Sequence, residues 1–181
     1  MSKLIHILNA FLRLITGKHL NPTLPETLFL VGTYFFPQIN VELIIRINSY
    51  TILYSWRDDA FGNHGWHLPG SIIRPNERIL TRLAKLISTE VYFLDDQEYT
   101  SLQYLGCSEV FSEHAPCIRS HFLSHIYLVD YVLPPDVISN LDTKYLLTSV
   151  LPDRIIDNHL RYSTLMKQCM SGATNIIPRV Y

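Results

Sequence analysis

The chain reads as one α+β domain, a sheet sandwiched by helices, and three observations predict this. Val41–Ile47 and Thr51–Trp56 are β-rich runs separated by Asn48-Ser49-Tyr50, the pattern of a hairpin. From Ile79 onward, Leu80, Leu83, Leu86 and Ile87 recur at the spacing of one helix face. Further strands follow that helix and a terminal helix closes the chain, so strands flank one central helix.

In chain order, residues 1–19 form an amphipathic helical extension with Leu4, Ile5, Leu8, Phe11, Leu12 and Ile15 on one face, ending near Gly17. That face suits docking on the domain or a partner, in preference to lying on a membrane surface. Asn9 and Arg13 interrupt the apolar run and no small-residue cleavage site follows, so a signal peptide is not expected. Residues 20–170 make the main domain. It opens with a short helix at the capping box Thr23-Leu24-Pro25-Glu26. After the hairpin, Arg57 to His64 is a polar loop and His67–Pro69 a short strand, and Pro75-Asn76 give the stop-and-cap signal for the Ile79 helix. Strands are expected near Glu98–Cys107, Phe122–Val132 and Lys144–Leu147, then a helix from about Arg154 to Met170 and a tail over 171–181.

The 181 residues suffice for one well-buried core, and 48% hydrophobic with 17% charged residues excludes a disordered chain. Fifteen basic against sixteen acidic residues leave a net charge of −1, which builds no field for nucleic acid. No apolar run reaches the about eighteen residues of a membrane span. Cys107, Cys117 and Cys169 lack metal-ligand spacing and read as free thiols of a cytoplasmic protein.

Glu90 shares the apolar stripe of Ile79, Leu83 and Leu86. A carboxylate aimed at a core must be paired, protonated or metal-bound. Mg²⁺ ligation is therefore one reading and an ion pair with Arg57 or Lys85 the other. Glu42 shares a strand face with Ile44 and Arg46, which reads equally as a metal ligand or as part of a solvated face. Arg57 suits a diphosphate clamp, while Asp58 and Asp59 offer it ordinary ion pairs. Trp56, Phe61, Trp66 and Phe111 are stacking candidates, although most aromatics serve the core. Histidines 64, 67, 121 and 125 have no third ligand at zinc spacing and default to surface or hydrogen-bonded roles.

The order of elements and the turn residues resemble the Nudix hydrolases, whose signature is G-x5-E-x7-R-E-U-x-E-E-x-G-U. Aligned on Pro69-Gly70, Ser71 takes the signature glycine, Glu77 the first glutamate, Lys85 the arginine and Glu90 the last glutamate. Leu86 and Thr89 stand where two metal-binding glutamates belong, and Tyr92 where the second glycine belongs. The GDP-mannose mannosyl hydrolase branch lacks the same two glutamates. Val41-Glu42-Leu43-Ile44-Ile45, Arg57, Trp66 with Leu68-Pro69-Gly70, Leu105–Glu109, Ser124-His125, Leu147–Ser149 and Asn158-His159 resemble its segments over about residues 20–165.

That resemblance implies an α/β/α sandwich with a mixed sheet. It implies a Mg²⁺ enzyme, or one using Mn²⁺ in its place, that splits a GDP-hexose into GDP and hexose as a cytoplasmic homodimer. Metal ligands would be Glu90, Glu42 and Asn140; substrate contacts Arg57, Trp66 and Lys85; catalytic groups Arg57, Glu109 and His125. Lys85 has a plainer reading as the structural partner of a nearby carboxylate. The branch's Gln-His pair falls on Asn140-Leu141, and leucine takes no proton, so Glu109, His114, His121 or His125 must supply a base. Two alternatives stand beside this: a degenerate Nudix domain binding a nucleotide sugar or a protein partner, and a Nudix pyrophosphohydrolase.

Overall fold

The computed structural model describes residue 32 and residues 35–58, 64–111 and 121–173. The expected helices of residues 1–19 and at Thr23, together with Phe61, His114 and Cys117, lie outside the described residues.

Among the described residues seven strands form one mixed sheet: β1 (Gln38–Ile47), β2 (Thr51–Asp58), β3 (His64–His67), β4 (Gly70–Ile72), β5 (Tyr99–Phe111), β6 (His121–Tyr131) and β7 (Tyr145–Thr148). The order is β3-β2-β1-β6-β5, with β4 paired to β1 and β7 to β2. β1 runs parallel to β6 along its length and antiparallel to β2 and β4. A strand enclosed on both edges and both faces needs a nearly continuous apolar run, which NVELIIRI nearly is. The hairpin turn forms as expected, with Asn48 and Ser49 both at positive φ.

Helix α1 (Ile79–Glu90) covers one face, where Leu83 and Leu86 pack on Val41, Leu43 and Ile45 of β1. Leu80, placed on the stripe by sequence, is 65% exposed, because α1 buries only the narrow row of Leu83 and Leu86. Pro75-Asn76 form a turn with Asn76 at positive φ, and the helix begins later, capped by extended Arg78. The opposite face carries Ile44, Ile52, Tyr54 and Leu128 beneath the C-terminal helices.

The single terminal helix expected from sequence is two, α3 (Asp157–Leu160) and α4 (Ser163–Met170), after the short α2 (Pro135–Ser139). Tyr162, at φ −88° and ψ 4°, donates its N–H to His159 O three residues back, which breaks the run. The polar loop is also shorter than expected, since Arg57 and Asp58 belong to β2 and His64 to β3. Together these layers make the α/β/α sandwich. Among the described residues no helix is long and apolar enough to cross a membrane.

Candidate functional site

The site sits where the last turn of α1 meets the β2–β3 edge. Ser55 pairs in register with His67, and both face α1. His67 Nδ1 lies 2.8 Å from the Ser55 carbonyl, which only accepts, so Nδ1 carries a proton and donates. His67 Nε2 lies 2.7 Å from Glu90 Oε1, and the Ser55 hydroxyl donates to the same oxygen at 3.2 Å. The imidazole is 3% and the Glu90 carboxylate 24% exposed, so this contact is shielded from water. Glu90 therefore points inward as its helical position requires, and its partner is His67, which the sequence singled out only as one of several histidines.

The rest of the signature is committed to structure. Glu77 accepts from Lys85 at 2.9 Å, from Arg82 and from the Arg74 N–H at 3.1 Å, stapling the loop to the first turns of α1. Burial pushes the Glu77 carboxyl up, but those donors outweigh it and hold it below the usual range. Lys85 is thus a partner of Glu77, the plainer of its two readings, and its ammonium is already engaged where a substrate contact had been expected. Leu86 is buried in the core and the Thr89 hydroxyl turns back to donate to Lys85 O at 2.7 Å.

The expected metal set does not come together. Glu42, Glu90 and Asn140 stand in three places: beneath α3 on the far face, against His67, and exposed at the end of α2 with its amide on Asp136 O at 2.8 Å. Among the described residues no three His, Cys, Asp or Glu side chains are grouped to hold a metal ion. The described residues among these candidates do not come together to fit the divalent cation that the resemblance implies. Glu42 also corrects the solvated-face reading, since Glu42 and Arg46 are 7% and 6% exposed. Arg46 forks onto both oxygens of Asp130 and donates to the carbonyls of Cys169 and Ala173, which is how a buried strand face tolerates it.

The catalytic candidates are likewise dispersed. Arg57, half-buried, continues the α1 face two residues beyond Ser55. His125 is on β6, bonded to Tyr104 Oη at 3.1 Å, and exposed Glu109 is on β5, paired to half-buried His121 at 2.8 Å. β3 and β6 are three strand spacings apart, about 14 Å, so His125 does not reach a reacting atom held by Glu90. Trp66 packs edge-to-face on Trp56 at 5.1 Å, the Arg154 guanidinium lies over the Trp56 ring, and the Trp66 backbone pairs with residues 154 and 156. Gly65 permits that pairing, because a Cβ there would lie 2.3 Å from Arg154 O.

A cavity of about 400 Å³ opens beside the end of α1, lined by Tyr92, Phe93, Asn140, Leu141 and Tyr145 among others. Tyr145 Oη donates to Glu90 O at 2.9 Å, joining cavity and helix, and the Lys144 ammonium lies over the Tyr92 and Tyr145 rings. Leu141, at the expected base position, packs against the core.

No protein-family model matches the sequence, and no curated protein does. Solved structures match it in fold. A MutT NUDIX hydrolase from Burkholderia pseudomallei is 15% identical over 74% of this chain and 97% of its own, with a TM-score of 0.50. Shewanella oneidensis NrtR is 11% identical over 74% of this chain and 61% of its own, also at 0.50. The bifunctional NMN adenylyltransferase/ADP ribose pyrophosphatase from Francisella tularensis is 17% identical over 80% of this chain at a TM-score of 0.48, and the chain spans about half its length, 47%. At these identities the likeness is one of architecture: the chain has the fold of the Nudix hydrolases.

Proposed function

We propose that this chain is a Nudix-fold binding domain that holds a nucleotide-type ligand without metal-dependent hydrolysis. The observation carrying this is the commitment of Glu90 to His67 and Ser55, with Leu86 in the core and Thr89 turned onto its own helix. The cavity at the end of α1 supports the ligand class: its size suits a small molecule, half-exposed Tyr92 offers a ring to a base, and Lys144 stands over that ring opposite the acidic lining residues Asp136 and Asp142. Arg57 on the same sheet face as Ser55, and Lys144 at the cavity, are cations near this end of α1 among the described residues.

A second reading is a Nudix pyrophosphohydrolase. The fold likeness to a MutT NUDIX hydrolase and the retention of Glu77 and Glu90 favour it. It fits better than cleavage of GDP-mannose at the sugar carbon, because the base position of that reaction is core-packed Leu141. One experiment separates the three. The protein is incubated with GDP-mannose, other nucleoside diphosphate sugars and nucleoside triphosphates plus Mg²⁺ or Mn²⁺. Products are followed by ³¹P NMR while binding is followed by calorimetry. Binding without turnover is expected. A nucleoside monophosphate product supports the second reading, and GDP with free mannose the sugar-carbon reaction; either overturns the proposal.

A further inference from the structure

On the sheet face opposite Glu90, beneath α3 and α4, lies a sealed group of polar side chains. The register sets Asn40 beside Ser124 and Ser124 beside Ser108, so β1, β6 and β5 each present one polar residue at one level. Glu42 stands two residues along the same face of β1, and His159 and Tyr162 close the group from above. All six residues are more than nine-tenths buried.

Their hydrogen bonds do not balance. Asn40 Nδ2 donates to Glu42 Oε1 at 2.9 Å. Glu42 Oε2 and Asn40 Oδ1 are buried without a partner, while the Tyr162 hydroxyl faces those of Ser124 and Ser108. His159 Nε2 lies 3.7 Å from Glu42 Oε2, beyond hydrogen-bond reach. That ring supplies no compensating charge, because its Nδ1 accepts the Leu68 N–H at 2.9 Å and so carries no proton. Arg46, on the same face, is consumed by Asp130 and two helix-end carbonyls. A carboxylate oxygen and an amide oxygen without donors, beside buried hydroxyls, are acceptors that one bound cation would satisfy together.

We propose that this group is a binding site for one monovalent metal cation, sodium or potassium, held by Glu42 Oε2 with oxygens of Asn40, Ser108 and Tyr162. Charge selects the valence: +1 neutralises Glu42, whereas a divalent ion would leave a net buried charge. Four oxygens and no sulfur suit a hard ion. The ion would tie α3 and α4 to the sheet and hold His159, whose Nδ1 anchors the Leu68 backbone and whose ring is 6.0 Å from that of His67. It stands apart from any divalent site, being on the other face from Glu90.

The test is thermal unfolding at fixed pH and ionic strength, with choline chloride replaced stepwise by NaCl, KCl or MgCl₂. The melting temperature is expected to rise by about 3–6 °C in sodium or potassium relative to choline, saturating with concentration. Whether sodium or potassium acts at lower concentration identifies the ion. Glu42→Gln should abolish the rise, and Ser108→Ala, which keeps the charge and changes little volume, should move its midpoint to about tenfold higher salt. Equal melting temperatures in sodium, potassium and choline would mean that a proton or water completes the group, and would overturn the proposal. So would a rise confined to MgCl₂, or one retained in both variants.

Discussion

Gly70 is paired with Glu42 across β1 and β4, and alanine there would carry a methyl 2.3 Å from Glu42 Oε2, 2.8 Å from its Cδ and 3.1 Å from Oε1. Ordinary contact begins near 3.4 Å, so the carboxylate must retreat by about 1 Å. Gly70 has no positive φ, and the cost is therefore steric rather than conformational. The carboxylate has little freedom, being held by the Asn40 amide at 2.9 Å and covered by His159. Overpacking costs about 1–3 kcal/mol. Weakening a buried hydrogen bond to a charged group adds about 1–3 kcal/mol. Gly70→Ala should thus lose about 2–6 kcal/mol, a fall of about 1–3 M in the urea midpoint at an m-value of about 2 kcal/mol/M. In a Glu42→Ala background the same change should cost far less, giving a coupling above about 1 kcal/mol. A Gly70→Ala protein within about 0.5 kcal/mol of the parent, or an equal loss in both backgrounds, would refute the packing described for Glu42.

Other outcomes follow from the same contacts. Asp130→Asn strips the buried Arg46 guanidinium of its counter-charge and should cost about 3–5 kcal/mol by thermal unfolding, whereas replacing Arg46 with Met and Asp130 with Leu together should cost much less. Glu77, with its folded pKa below its unfolded one, stabilises above the ordinary carboxylate range and loses that contribution as pH falls through the folded value. The stability gap between the parent and Glu77→Gln should accordingly be constant above about pH 5 and close on acidification; a gap that widens in acid would be inconsistent. Burial pushes the Cys169 thiol up to about 12, so in a Cys107→Ser, Cys117→Ser background an aromatic disulfide reagent at pH 8 should label Cys169 only after denaturant is added.

Much of the frame was legible because it rests on side-chain periodicity. The β1–β2 hairpin, the long β5 and β6 strands and the inward aim of Glu90 all follow from alternation or from the Leu83–Leu86 stripe. What stayed hidden depends on pairing between distant segments. His67 meets Glu90 through a strand of four residues, too short for a pattern. Arg46 suggested water on the face of Glu42, since its partners, Asp130 and the carbonyls of Cys169 and Ala173, lie more than eighty residues away. Ser108, Ser124, Asn40 and Tyr162 carry no motif and become a group only when the β1–β6–β5 register is known. The departures at Leu86 and Thr89 were visible as residue types; that one is core and the other a helix-capped hydroxyl came from the packing.

Titration of the protein with Mn²⁺, read by water-proton relaxation, asks whether the end of α1 is a divalent-metal site at all. With Glu90 held by His67 and no carboxylate cluster around it among the described residues, no stoichiometric binding is expected up to millimolar ion, in the parent and in Glu90→Gln alike. One Mn²⁺ bound per chain at micromolar affinity, lost in Glu90→Gln, would show that the site is a hydrolase metal centre and that the binding-domain assignment is wrong.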